Sequence, residues 1–260
     1  MFGKIIYEVK DRIAFVTLNN GKMNPIDADM AAELVEAYKM IEVDEDVKAS
    51  VIRGGERAFS AGGDANNMSK GLKDGTLGPY RQRIIENLNA LTLMIKKSAK
   101  PVIASVQGPA AGAGFNLALA CDMCIAAENV KFVPAFAKLG LIPDTGGIGI
   151  LTKLFSLNKV LELSLLAKPM GAQEAYNLGV VCEVCAVEEL EEKTLALAKT
   201  IAGNSALTNK YIKALAYECC FKDLEDYMEK EHKYLDKCTD GDDFKEGVAA
   251  LVEKRPAQFK

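Results

Sequence analysis

Two short runs of small residues carry the chemistry that this chain can be read for. The first, Arg57-Ala58-Phe59-Ser60-Ala61-Gly62-Gly63-Asp64, directly follows the β-rich run Ser50–Arg53. Four successive small side chains let a ligand lie against the main chain, where N–H groups can donate to it. Taken alone, the same run also serves as a tight turn with no ligand. The second, Gln107-Gly108-Pro109-Ala110-Ala111-Gly112-Ala113-Gly114, lies between the β-rich run Val102–Val106 and an almost wholly apolar helical pattern. Small residues at a helix start leave first-turn N–H groups unpaired at the positive end of the dipole, a site for an anion or a developing oxyanion. Close packing of helix on strand would use the same residues. The G-x-G inside this run lacks the third glycine and the later acidic residue of a dinucleotide fingerprint. Two such turns, each after a strand, suggest paired donors on one oxygen, as a thioester carbonyl becoming an enolate requires.

One carboxylate stands out as an acid/base candidate. Asp144 lies in Gly140-Leu141-Ile142-Pro143-Asp144-Thr145-Gly146-Gly147, just ahead of an expected helix start at Gly146. On the residues alone, a helix N-cap is the plainer role for it.

The elements that must position these residues alternate along the chain. β-rich runs are Ile13–Leu18, Ser50–Arg53, Val102–Val106, Met123–Ala126 and Val180–Val184. Met30, Leu34, Ala37 and Ile41 lie at helical spacing, as do Ile84, Leu88, Leu91 and Ile95 ahead of Pro101. A third helix begins near Gly112 and runs through Phe115–Ala120 as a buried element. Strands alternating with helices predict an α/β layered core. Residues 66–79, polar and glycine-rich, predict a mobile flap over the site. After about residue 187 the pattern is helical and charged, over Glu188–Ile201, Leu207–Phe221, Leu224–Leu235 and Phe244–Glu253.

Composition narrows the partners. The 260 residues include 32 basic and 36 acidic side chains, a net charge of -4, which argues against a nucleic-acid or anionic-membrane partner. No apolar run is long enough for a signal peptide or a membrane span, so a cytoplasmic location is expected. Seven cysteines include two C-x-x-C pairs, Cys121/Cys124 and Cys182/Cys185. Their apolar, strand-like settings read as reduced core residues rather than a metal knuckle. His232, the single histidine, falls in a charged helix and reads as a surface residue.

Ala58–Asp64 and Pro101–Gly147, with the tail Glu246-Gly247-Val248…Lys254-Arg255, resemble the crotonase (enoyl-CoA hydratase/isomerase) superfamily over essentially the whole chain. The resemblance implies a ββα spiral core over residues 1–200 and a C-terminal helical segment, 201–260, that builds homotrimers or hexamers. It implies an acyl-CoA substrate, no further cofactor, and a place in fatty-acid or aromatic-acid degradation. By position, the N–H groups of Gly63 and Ala113 would form the oxyanion hole. Ala61, Asp64 and Ala65 would line the adenine pocket, and Lys22 and Lys254 would meet the CoA phosphates. Met68, Leu72, Phe115, Phe136 and Ile142 are candidate acyl-pocket residues.

Departures from the family pattern point to the reaction. Asn116 and Phe136 occupy the positions of the two water-activating glutamates of the hydratases, and neither exchanges a proton at neutral pH. Asp144 stands where hydratases have glycine, which resembles the ring-1,2-epoxyphenylacetyl-CoA isomerases and Δ3,Δ2-enoyl-CoA isomerases. A helix dipole would favour its ionised form, and desolvation by Phe136 the neutral one. Double-bond isomerisation, or rearrangement of a ring-unsaturated acyl-CoA, through a thioester enolate with Asp144 as acid/base is the expectation. A thioester or β-dicarbonyl hydrolase, an atypical hydratase, an aryl-CoA dehalogenase and a non-catalytic acyl-CoA-binding subunit stay open as alternatives.

Overall fold

The computed structural model describes residues 2–260. Its main sheet has six strands in the order Ile5–Lys10, Ile13–Leu18, Ala49–Arg53, Val102–Val106, Met123–Ala127 and Glu183–Cys185. The first two form an antiparallel hairpin, and every other neighbour is parallel. The hairpin turns through Asp11 and Arg12, at φ 53° and 66°. Two left-handed residues suit the twist of paired strands, but Asp-Arg lacks the glycine that would announce such a turn.

The parallel strands are buried on both faces, as such strands must be. Ala14, Val16, Ile52 and Ala104 share one core cluster with Met30, Leu34, Tyr38 and Ile41 of the helix Ala28–Val43 and Leu88, Leu91 and Ile95 of the helix Leu77–Lys97. The alternate residues Ile13, Val51, Ile103 and Ile125 pack with Ala198, Ile201 and Ala202 of the helix Leu190–Gly203.

Between main-sheet strands the chain adds a second layer. Val102–Val106 leads to Pro109–Ala111 and then the helix Ala113–Ala120. Met123–Ala127 leads to Lys131–Val133, which joins Pro109–Ala111 and Met170–Gly171 in a three-stranded sheet. Pro25–Ile26 pairs with Gly62–Gly63. This repeated strand–strand–helix course is the ββα spiral expected above.

Several expectations are corrected. Residues 66–79 are not a flap but the helix Ala65–Asp74 and the first turn of Leu77–Lys97. Asp64 caps the former, accepting from the N–H groups of Asn66 at 2.9 Å and Asn67 at 3.1 Å. Of its glycines, Gly71 serves fit and Gly75 supplies a left-handed end. A Cβ on Gly71 would lie 2.9 Å from the Leu77 Cα, and Gly75 ends the helix at φ 75°. Val180–Val184 shortens to Glu183–Cys185, and the helices Leu157–Leu166 and Ala172–Asn177 were not anticipated. Cys121, Cys124 and Cys185 are buried, whereas Cys182 is exposed and so is not a core residue.

Four helices follow the last strand: Leu190–Gly203, Ala206–Phe221, Leu224–Thr239 and Asp242–Glu253. The last two fold back over the second layer. A Cβ on Gly247 would meet the Leu139 main chain at 2.6 Å, and Arg81 pairs with Asp236 at 2.9 Å. Among the described residues no helix is long and apolar enough to cross a membrane.

Candidate active site

The two glycine-rich turns meet. Ser60 N–H donates to Pro109 O at 3.1 Å, and Ala111 N–H to Ser60 O at 2.9 Å. Gly62, at φ 85°, approaches so closely that a Cβ would lie 2.6 Å from Ala111 O and 3.4 Å from Ala113 N. Only glycine fits both the conformation and the contact. Asp64 N–H donates to Ile26 O at 3.3 Å, so strand alternation turns the Gly63 N–H to the opposite edge. Ala113 is the first residue of its helix, where an N–H has no intrahelical acceptor.

Gly63 and Ala113 open on a cavity of about 660 Å³ that Asp144 also lines. Ala61, Asp64, Met68 and Phe136 share its wall, with Tyr80, Arg81, Ile84, Ile85, Leu88, Leu141, Leu235, Phe244 and Phe259. The lining is mostly apolar, and Phe136 is itself buried.

Asp144 stands on a turn clamped by three helices. Asn116 Nδ2 donates to the Asp144 carbonyl at 2.7 Å, and Thr92 Oγ1 to the Thr145 carbonyl at 3.3 Å. Glu231 Oε1, from Leu224–Thr239, accepts the Gly146 N–H at 2.8 Å. The clamps hold an unfavourable backbone, for Thr145 is at φ 54°, a conformation β-branched residues avoid. Gly146, not Asp144, occupies the N-cap position of the helix Gly147–Leu154, and no side chain caps it. The capping role for the Asp144 side chain is therefore excluded.

A half-buried carboxyl, Asp144, and a buried one, Glu231, on either side of this turn are tuned apart. Burial pushes Asp144 up to about 6, against its own backbone N–H, the Arg81 charge and the Thr145 hydroxyl. Desolvation thus outweighs the groups that favour the ionised form. Burial, with the Asp144 charge adding to it, pushes Glu231 to about 8. Near neutrality Asp144 is mainly a carboxylate and Glu231 mainly an acid, the separation that lets a base sit beside a second carboxyl.

Other expected site residues stand elsewhere. Phe115 is fully buried against Phe132, with ring centroids 6.0 Å apart. Asn116 is 2 % exposed and lies behind Asp144 rather than on the wall. Ala65, Leu72 and Ile142 are outside the lining, as are Lys22 and Lys254, both exposed, although Lys254 directly precedes the lining residue Arg255. Arg255 lines the cavity instead, with its guanidinium on Glu246 at 2.5 and 2.9 Å. Tyr80, Arg81 and Glu231 were missed: the first two directly follow the supposed flap, and Glu231 looks like any carboxylate of a charged helix.

Residues 8–260 match the family model described as enoyl-CoA hydratase/isomerase. The chain belongs to this family. It is 31% identical over 259 residues to the trans-2-decenoyl-[acyl-carrier-protein] isomerase of Streptococcus mutans, covering 99% of this chain and 98% of that one. It is 33% identical over 258 residues to the 1,2-epoxyphenylacetyl-CoA isomerase of Escherichia coli, covering 98% and 97%. An enoyl-CoA hydratase from Mycobacterium avium subsp. paratuberculosis superposes with a TM-score of 0.90 at 26% identity over 100% of both chains. The protein is thus an enzyme of the enoyl-CoA hydratase/isomerase family, built for acyl-CoA chemistry. Both reaction names occur among its relatives.

Proposed function

We propose that the protein isomerises an unsaturated acyl-CoA, moving a double bond along the acyl chain through a thioester enolate. Asp144 carries this reading: it is the one carboxylate on the cavity wall not committed to a helix cap, and Phe136 faces the same space. A 3-enoyl thioester binds with its carbonyl oxygen on the Gly63 and Ala113 N–H groups. Asp144 takes a proton from C2, and the C–H electrons move into the carbonyl, giving a dienolate whose oxygen the two donors hold. Asp144 then returns the proton at C4, leaving the double bond between C2 and C3. One group takes and returns the proton, so the step needs no second acid/base and no group beyond the thioester. Hydration would need a second residue to activate water, and Asn116 and Phe136 supply none.

Self-association as a trimer or hexamer belongs to this reading. Leu157, Leu161 and Leu165 line one exposed helix face, and Leu207, Tyr211, Ile212 and Leu215 another. Such apolar faces fit burial against further subunits.

The decisive assay mixes the protein with 3-enoyl-CoA and 2-enoyl-CoA separately and follows thioester conjugation by absorbance. Gain of conjugation with the first, and no loss with the second, is the expected result. Hydration of 2-enoyl-CoA at a comparable rate would refute the reading. Matched acyl-carrier-protein thioesters belong in the same assay, because the Streptococcus mutans relative is named for that carrier.

A further inference from the structure

The helix Leu77–Lys97 brings two polar side chains to the cavity that the isomerisation steps leave unused, Tyr80 and Arg81. The Arg81 guanidinium is divided in its contacts. Nη2 is held by Asp236 Oδ1 at 2.9 Å, while Nη1 is sealed from solvent with no hydrogen-bond partner among the described residues. The Tyr80 hydroxyl is buried too, but it has Asn67 as a hydrogen-bonding neighbour and Asp64 close by. Ile84, Ile85 and Leu235, which line the same wall, have no side-chain polar atoms to offer. Asp144, whose carboxyl feels the Arg81 charge, leaves its Oδ1 without a partner as well. A buried donor without an acceptor costs about 1–3 kcal/mol, and native folds seldom leave one unmet.

We propose that the free arm of Arg81 forms a subsite for a neutral oxygen, a keto or hydroxyl group, carried by the acyl chain beyond its thioester. This rests on the acyl-CoA reading above and deepens it by naming the substrate class. Charge balance selects a neutral acceptor over a second carboxylate. Arg81 already faces Asp236, and its charge also acts on Asp144. A further anion would bring a third negative group to one cation. Asp236 fixes the planar fork through Nη2, so little side-chain entropy is lost when Nη1 gains an acceptor.

Equilibrium binding of saturated acyl-CoAs, which cannot isomerise, tests the subsite apart from catalysis. Calorimetry would compare hexanoyl-CoA, 4-oxo- and 5-oxohexanoyl-CoA, and adipoyl-CoA on the wild-type protein, Arg81→Met and Arg81→Lys. Arg81→Lys keeps a cation for Asp236 and so guards against misfolding, which melting curves also monitor. The expected result is that at least one oxo analogue binds wild type about tenfold tighter than hexanoyl-CoA, and that both variants lose this preference. Hexanoyl-CoA binding as well as both oxo analogues overturns the subsite alone. Adipoyl-CoA binding more tightly than either overturns the neutral class. An undiminished preference in Arg81→Lys and Arg81→Met overturns the role of Arg81. Failure of every acyl-CoA to bind overturns the acyl-CoA reading and the subsite with it.

Discussion

Glu231 Oε1 accepts the Gly146 N–H at 2.8 Å, so a carboxyl from the helix Leu224–Thr239 braces the turn that carries Asp144. Glu231 lies behind the cavity wall, whereas Asp144 is on it. The two share a turn and divide its labour, one holding the main chain and the other facing the substrate.

Asp144→Asn keeps the size of the side chain and removes the base. Isomerisation of 3-enoyl-CoA should fall by about 10²–10⁴-fold, with acyl-CoA binding little changed. The melting temperature near neutrality should equal or exceed that of wild type, because the amide removes a desolvated charge. Steady-state kinetics beside a melting curve checks both, and full activity in this variant would rule out Asp144 as the base.

The pH dependence follows from the same group. Asp144 acts as a base only when ionised, so kcat/KM should rise through an inflection near 6 and level off above it. An inflection near 4 would show that burial does not govern Asp144 in the working enzyme.

Glu231→Gln can keep an acceptor for Gly146 while removing the ionisation. Burial raises the folded-state value of Glu231 from 4.5 to about 8, so its contribution to stability is full below pH 4.5 and is lost as pH rises towards 8. The variant should therefore be more stable than wild type at pH 8, by roughly 1–3 kcal/mol, with the gain shrinking to nothing near pH 4. Urea titrations at the two pH values measure it. A uniform loss at both would mean that the geometry of the carboxyl acceptor, which the amide does not reproduce, outweighs its ionisation.

Ala113→Pro deletes one N–H at the first position of a helix, where proline is well tolerated. If that N–H holds the enolate oxygen, kcat should drop by about 10²–10³-fold with a melting temperature within a few degrees of wild type. Retained turnover would place the oxyanion elsewhere.

Light scattering should return a trimer or hexamer. Introducing charge with Ile212→Glu and Leu215→Glu, both more than 60 % exposed in the single chain, should dissociate it if that face is the one buried. A monomeric wild type would contradict the assembly proposed here.

What could be read from the sequence was local. The two turns were legible because close main-chain approach demands small residues in an unbroken run, and Asp144 because it is a carboxylate among glycines. Arg81 and Glu231 were not, since each takes its place from helices that meet only in three dimensions. Residues 66–79 misled because glycine marks both flexibility and tight fit, and Gly71 serves the second. Phe115 was misplaced by geometry. Two residues after Ala113 a helix has turned about 200°, so its ring points into the core while Ala113 faces the cavity.

The cavity wall draws on Gly63 near one end of the chain and on Leu251, Arg255, Pro256, Ala257 and Phe259 near the other. A growing polypeptide can complete its sheet long before these residues exist, yet the pocket stays open on that side until residue 259 has been synthesised. Assembly of the site is therefore a late, long-range event in folding, of the slow kind that wide sequence separation imposes. In practical terms, an affinity tag or reporter fused after residue 260 would sit beside the substrate's space.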